Sequence, residues 1–538
     1  MIAPTRILFS SLILSALPSG AVALTLDAVG RYGAEIFDES AAEIVAFDPP
    51  SKRLFVTNSN SSEIDILDIA DPSAPGLVTS LPLEFFGDGP TSCAVYKGVL
   101  AVTVPAKTKQ NPGKVVFFNT EDYTFLSYVD VGALPDSLAF TPDGTKVVVA
   151  NEGEPDDDYE IDPEGSVSII DLTPGVENIT TANVATADFT QYNGKEDMLR
   201  SNGVRVFGPG ASAAQDFEPE FVAISPDSST AFVSLQENNA LAIIDLATAE
   251  VKSVEPFGYK IHFNRENGMD ASNRDDVIDI RSRQVFGMYQ PDGIACYEVQ
   301  GKTYVITANE GDARDYDGFS EERRIKDFNG EADGDDGVIR VVDPSLLNRF
   351  PDLLEDEELG RLRTTTASPF GVKVNEDGVE ISQSLFSYGA RSFSIWTENG
   401  RQVYDSADEL EQLTAELVPD IFNSNNDETE ADGRSDDKGP EPEAVTTGEI
   451  GGVTYAFIAL ERVGGIMVYD VSDPKAPAFI TYASTRLMAD DEDAETPEDD
   501  LGPEGLIFIS AEDSPNEKPL LVVAHEVSGS TVIFEINE

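Results

Sequence analysis

The sequence predicts an all-β protein: a single β-propeller of seven or eight four-stranded blades, with the ring closed by the N-terminal strand. Three observations predict it. A short unit recurs in which Pro and an acid open one strand and a second acid follows where the next strand ends. The turns between those strands are hairpin turns with the right chemistry. The third strand of each unit is a β-branched run that stops at Asp.

The repeat reads Pro135-Asp136 then Asn151-Glu152, and Pro219-Glu220 then Gln236-Glu237. It continues as Pro291-Asp292 then Asn309-Glu310, Pro442-Glu443 then Leu460-Glu461, and Pro503-Glu504 then His525-Glu526. The turns read Asp48-Pro49-Pro50-Ser51-Lys52, Thr141-Pro142-Asp143-Gly144 and Ser225-Pro226-Asp227-Ser228. Proline presets φ, and Gly or Asp tolerates φ > 0. Third strands are expected over 63–68, 166–171, 240–245, 338–343 and 465–470, each bounded by Asp. About eight units result, a radial array of short strands rather than a sandwich. Leu24 to Tyr32 has strand character, and the last unit, 504–536, lacks a fourth strand. The N-terminal strand is therefore expected to complete that unit and remove the open edge. The unit near 389–406 departs from the rest, with Arg391 where other units place an acid and a helical stretch from Ala407 to Leu417. The first unit has Ala42-Glu43, and the second Pro90-Thr91.

Adjacent strands of a blade run antiparallel, so the start of the first and the end of the second share one end of the blade. Asp136/Glu152, Glu220/Glu237, Asp292/Glu310, Glu443/Glu461 and Glu504/Glu526 should then be neighbours at one mouth of the central channel. The acidic insertions at 153–159, 311–318, 423–439 and 489–502 leave from that mouth. For one blade, Pro-Asp and Asn-Glu-Gly are adequately explained as turn chemistry with carboxylates capping backbone N–H groups. Five converging pairs favour cation binding, because a ring of unpaired carboxylates is costly. Oxygen-only ligands at flexible spacing suit calcium, and a second metal is open as well. No segment matches a twelve-residue EF-hand loop; 333–337 lacks the terminal Glu spacing.

Composition narrows the functions. The chain has 538 residues, 36 basic against 99 acidic, for a net charge of -63. That argues against nucleic acid or an anionic membrane as the main partner. Hydrophobic residues make up 41%, enough for a core, and most single acids are solvated surface. Arg6, the apolar run 7–17 and Ala21-Val22-Ala23 predict a secretory signal over residues 1–23. The mature chain, 24–538, is then expected to be secreted, extracellular or periplasmic. No later apolar stretch is long enough to span a bilayer, and no C-terminal anchor is expected. Cys93 and Cys296 read as two buried free thiols, with one disulfide as the alternative. With two histidines, His262 and His525, a multi-histidine zinc site or a Ser-His-Asp triad is improbable. Asn60-Ser61-Ser62 and Asn178-Ile179-Thr180 are glycosylation sequons if the host is eukaryotic.

Several segments resemble the choice-of-anchor I family: 289–294, 307–316 continuing to Glu321, 267–275, 389–396, 439–443 and 461–466. The resemblance covers nearly all of the mature chain. It implies a secreted or surface-anchored propeller with a variable C-terminal anchor. Some relatives are described as atypical alkaline phosphatases and others as cell-surface glycoproteins, so the family does not fix the function.

Two functions follow as expectations. One is a calcium-dependent phosphoesterase, in which metal at the acidic mouth reverses the local potential, holds the phosphate and activates water. Its ligands would be Asp136, Glu152, Glu220, Glu237, Asp292, Glu310, Glu443, Glu461, Glu504 and Glu526. Arg391 is the candidate phosphate contact, against a structural ion pair with neighbouring acids. Arg314 and Arg462 are weaker candidates. No nucleophile is identified; Ser392 and Ser406 lie near the expected mouth. The other function is a non-catalytic, calcium-stabilised extracellular module that binds a cell-surface ligand. No organic cofactor is expected.

Overall fold

The computed structural model describes residues 24–34, 36–332, 336–426, 431–487 and 499–538. The expected signal, 1–23, and most of the acidic stretch 489–502 lie outside the described residues.

Among the described residues, seven four-stranded antiparallel sheets follow one another along the chain. Sheet 1 runs Val45–Asp48, Arg53–Asn58, Glu63–Asp68 and Gly76–Pro82. Sheet 2 runs Cys93–Tyr96, Val99–Val104, Pro112–Asn119 and Phe125–Ala133. Sheet 3 runs Pro135–Phe140, Lys146–Asn151, Ser166–Asp171 and Val184–Asp188. Sheet 4 runs Pro219–Ile224, Thr230–Leu235, Ala240–Asp245 and Glu250–Pro256. Sheet 5 takes Ile294–Val299 and Lys302–Asn309, then Ser392–Thr397 and Gln402–Asp405 after a long insertion. Sheet 6 runs Pro442–Ile450, Val453–Leu460, Ile466–Asp470 and Ala478–Ala483. Sheet 7 takes Pro503–Ile509, Leu520–His525 and Ser530–Asn537, and its fourth strand is the N-terminal Thr25–Gly33, paired antiparallel with Ser530–Asn537.

Both faces of each sheet are covered, which explains the near-continuous apolar runs of the middle strands. Apolar clusters lie between consecutive sheets. Phe55 and Ile66 of sheet 1 share one with Leu100 and Val116 of sheet 2. Val148 and Ile169 of sheet 3 share another with Val233 and Ile244 of sheet 4. Sheet 7 meets sheet 1 in the same way, with Leu520, Val522 and Ile533 against Val45, Leu54 and Val56. The first strands also touch in sequence order, from sheet 1 to sheet 7 and back to sheet 1. This is the packing of a β-propeller, whose first strands surround the axis.

Two expectations about the units are corrected. Ile339–Val342 is not the third strand of a propeller sheet. It lies in a small mixed sheet within the insertion 310–391, paired parallel with Glu380–Ser382. The apolar core of that insertion is shared: its Ile325, Phe328, Leu353 and Leu362 pack with Met269 and Val285 of the segment that precedes sheet 5. The segment 389–406 is likewise not a separate unit: its strands complete sheet 5. A long insertion splits sheet 5 in sequence, so the two halves read as two units. The helix expected after it is present as Glu409–Leu417.

Candidate metal centre at the acidic mouth

The register places the repeated acids as their spacing implies. Pro135 pairs with Asn151, Pro219 with Leu235, Pro442 with Leu460 and Pro503 with His525, so each first acid lies beside the acid that follows the second strand. In each of these four pairs the register shifts just after the proline, a bulge that re-aims the side chain next to it. Neighbouring sheets fix the acid's own backbone. Thr103 Oγ1 of sheet 2 donates to the Asp136 carbonyl at 3.2 Å, and Ser234 Oγ of sheet 4 donates to the Asp292 carbonyl at 3.2 Å.

The first-strand acids converge. Burial lifts the Asp136 carboxyl well above its ordinary range, and the charges of Asp292, Glu43 and Glu154 add to it. Burial does the same for Glu220, with Asp292, Glu237, Glu152 and Asp136 adding. It raises Glu443, helped by Glu310, Glu504 and Asp292, and raises Glu504, helped by Glu526, Asp292, Glu461 and Glu43. Burial lifts Asp292 to about 6 against a hydrogen bond with Glu443, and lifts Glu43 to about 7 against one from Ser59. Glu152, Glu237 and Glu526 are raised as well, burial first in each case. Among the described residues, no ion pair reaches Asp136, Glu152, Glu220, Asp292, Glu443 or Glu504.

Two triads stand out within this ring. The carboxylate oxygens of Asp292, Glu443 and Glu504 lie within 4.8 Å of one another, and so do those of Glu310, Glu441 and Glu461. Two unit charges about 5 Å apart repel by about 3 kcal/mol at an effective dielectric of about 20. The second triad meets that cost internally. Lys438 Nζ contacts Glu310 and lies 3.3 Å from Glu441 Oε2. Arg434 Nη2 lies 2.7 Å from Glu441 Oε1, and Arg462 Nη2 lies 3.0 Å from Glu461 Oε1. Burial alone would raise Glu441, yet Lys438, Arg434 and Arg462 hold its carboxyl at about 2. Glu461 still sits at about 8, since burial outweighs Arg462. A third set of acids is closed by arginine: Arg314 Nη1 meets Asp216 Oδ1 at 2.7 Å and Nη2 meets Glu218 Oε2 at 2.9 Å, while Arg205 pairs with Glu321.

The expected phosphate contact is not at this site. Arg391 precedes the third strand of sheet 5, so it occupies no first-strand position and the comparison with the repeated acids does not apply to it. It is 2% exposed, and its guanidinium is saturated: Nη1 donates to the Asp270 carbonyl and to Glu411 Oε1 at 2.7 Å, and Nη2 to the Ser435 and Asp437 carbonyls at 2.8 Å. The ion-pair alternative is what the structure holds. Arg314 is equally enclosed, and Arg462 is committed to Glu441 and Glu461. Ser392 Oγ donates to Asp405 Oδ2 at 2.8 Å and Ser406 Oγ accepts from the Phe393 N–H at 3.0 Å, both buried, so neither is placed to act as a nucleophile. Both cysteines are free, Cys93 in sheet 2 and Cys296 in sheet 5.

Sequence reasoning missed Glu43, Glu154, Glu218, Asp312 and Glu441 as members of the acid crowd, and Lys438 as its resident cation. Glu43 carries a usable signal, since Ala42-Glu43 stands where other units have Pro-acid. Glu441 does too, in the doubled Pro440-Glu441-Pro442-Glu443. Lys438 carries none, because its place is set by how the 431–441 loop folds back over sheet 5.

The fold and the site define a class: a β-propeller with an acid-lined mouth. The chain belongs to the choice-of-anchor I family, whose domain matches residues 43–474. It is 29% identical over 203 residues to Gigasin-3a of Magallana gigas, a match spanning 35% of this chain and 68% of that protein. It is 25% identical over 323 residues to the mesenchyme-specific cell surface glycoprotein of Strongylocentrotus purpuratus, spanning 54% of this chain and 40% of that protein. Among solved structures, Kuenenia stuttgartiensis hydrazine synthase aligns at a TM-score of 0.46 and 12% identity, covering 93% of this chain and 96% of that one. The WD40 domain of Toxoplasma gondii coronin aligns at 0.45 and 9% identity, covering 95% and 85%. No helix among the described residues is long and apolar enough to cross a membrane.

Proposed function

We propose that this chain is an extracellular or cell-surface binding module, a single seven-bladed propeller closed by its N-terminal strand and held at its acidic mouth by calcium. The observation that carries the reading is the convergence of carboxylates on or just ahead of the first strands of sheets 1, 3, 4, 5, 6 and 7, most of them without an ion pair among the described residues. A folded protein keeps such a ring by protonating it or by binding metal. Oxygen ligands on rigid strands favour a hard divalent ion. The family and the cell-surface name of one relative support an extracellular place and a surface ligand. Ring closure is supported by the pairing of Thr25–Gly33 with Ser530–Asn537 and by the sheet 7 to sheet 1 core. Deleting residues 24–33 is expected to abolish the main calorimetric transition; a retained transition would refute closure.

A calcium-dependent phosphoesterase is the second reading. A metal bound at the mouth with open coordination positions would hold a phosphate oxygen and lower the pKa of a bound water, and one observation favours it: Asp292, Glu443 and Glu504 converge as an oxygen-only set. The arginines expected to assist are committed elsewhere, which is why binding is placed first. One experiment separates the two. Residues 24–538 are assayed for phosphomonoester and phosphodiester hydrolysis at alkaline pH, with calcium and with a chelator, folding being checked in both. Calcium-raised melting without turnover is the expected result. Turnover lost on chelation while the fold persists would reverse the order.

A further inference from the structure

We infer that the mouth holds one divalent-cation site, formed by Asp292 just ahead of the first strand of sheet 5 and by Glu443 and Glu504 on the first strands of sheets 6 and 7, and that the neighbouring Glu310/Glu441/Glu461 triad takes no metal because Lys438 already stands in for it. This rests on the calcium reading above and narrows it from a ring of ten acids to three ligands.

Proximity of acids is not enough, since both triads have it. The triads differ in what meets their oxygens. In the second, Lys438, Arg434 and Arg462 supply three positive charges to three carboxylates, at contacts of 2.7, 3.0 and 3.3 Å beside the closer Lys438–Glu310 pair. Each carboxylate of that set therefore has a cationic partner supplied by the chain. In the first, Glu443 is 6% exposed and its Oε2 has no hydrogen-bond partner. A buried carboxylate oxygen without a donor is uncommon and asks for a ligand. Its carboxylate lies within 4.8 Å of those of Asp292 and Glu504, so an ion that satisfies it also meets the other two. Glu220 Oε2, on the first strand of sheet 4, is buried and unpartnered as well, on the side of Asp292.

The position is also well held. Glu443 and Glu504 open the first strands of sheets 6 and 7, Asp292 stands two residues ahead of the first strand of sheet 5, and its backbone is tied across to sheet 4 by Ser234. Gly293, directly after Asp292, has its missing Cβ position 2.6 Å from the Glu443 carbonyl, so the strands of sheets 5 and 6 approach more closely there than a side chain would allow. An oxygen-only set of this kind selects a hard cation over a soft one.

The test counts calcium. Equilibrium binding of Ca2+ to metal-stripped residues 24–538 is compared between the parent, Glu443→Gln and Glu441→Gln, with melting measured on the metal-free forms. Glu443→Gln is expected to bind one Ca2+ fewer per chain than the parent and to melt higher without metal, because a buried acid crowded by Asp292 and Glu504 is replaced by a neutral amide. Glu441→Gln is expected to keep the parent's count. An unchanged count in Glu443→Gln, a count reduced in Glu441→Gln, or a Glu443→Gln protein that does not fold would overturn the assignment while leaving a calcium-bound propeller standing. A parent that binds no Ca2+ and gains no stability from it would overturn the calcium reading as well. Sites in the acidic loops shift all three counts together, so the difference between variants reads only the mouth.

Discussion

Two clusters of buried acids in this protein are built on opposite principles. Around Arg314 and Arg205, the acids Asp216, Glu218 and Glu321 each have a guanidinium at contact distance. Around the inner ends of sheets 5, 6 and 7, Asp292, Glu443 and Glu504 have one another and, among the described residues, no ion-pair partner. The first cluster ties the linker 205–218 and the insertion near Glu321 together, and the chain itself supplies its cations. The second lies where the inner ends of three sheets meet, and among the described residues no Lys, Arg or His forms an ion pair with it. The difference teaches that burial of a carboxylate is not in itself a mark of function here. What marks the site is burial without an internal partner.

The comparison breaks most visibly at Arg314. Replacing it with Met leaves Asp216 and Glu218 buried and uncompensated, a change that costs about 3–5 kcal/mol when one partner of a buried pair is removed. The urea midpoint is expected to fall sharply, and calcium is expected not to restore it. A midpoint within error of the parent would show that the arginine cluster is solvated and that the contrast is not real. Lys438→Met gives the intermediate effect and sharpens the contrast. It strips the Glu310/Glu441 pair of its ammonium, so metal-free stability drops by less than in the Arg314 variant, with Arg434 and Arg462 still in place. The vacated place between Glu310 and Glu441 is expected to accept an additional Ca2+, and the lost stability to return with it. Loss without calcium rescue would mean that Lys438 is a tether of its loop rather than a substitute ion.

Much of this was legible in the sequence. The Pro-acid repeat placed Asp136, Glu220, Glu443 and Glu504 on first strands, with Asp292 two residues ahead of one, and put the partner acids of those four beside them, because antiparallel pairing leaves no other arrangement. Period-two and β-branched patterns report strands whatever their neighbours are. Interruption defeated the reading at sheet 5. The insertion 310–391 carries strands of its own, so Ile339–Val342 reads as a third strand as well as Ser392–Thr397 does. That error promoted Arg391 to a position in the acid ring that it does not occupy. The cations were illegible for a different reason. Lys438, Arg434 and Arg314 reach their acids from loops, whose paths depend on tertiary packing and leave no periodic trace.

The smallest effect is a pH slope whose sign is the reverse of the usual one for carboxylates. Burial holds Glu43 at about 7 and Asp312 at about 8, both above the ordinary carboxylate range. Between about pH 4.5 and those values the folded chain binds more protons than the unfolded chain, so metal-free stability falls as pH rises through that window and levels off above about pH 8. Acids paired with arginine work the other way. Glu441, held at about 2, contributes stability that is present above its ordinary value and lost as pH falls toward 2. Calcium separates the two groups, because a bound cation favours the ionised form of the acids around it. The gain in melting temperature on adding calcium should therefore grow from pH 5 to pH 8 and then flatten, while the chelated protein melts lower across the same range. Melting scans at four pH values, with and without calcium, measure this directly. A calcium increment independent of pH would place the ion away from the raised acids, in loops whose carboxylates are already ionised, and would leave the bare inner ends of sheets 5 to 7 to be explained by shared protons instead.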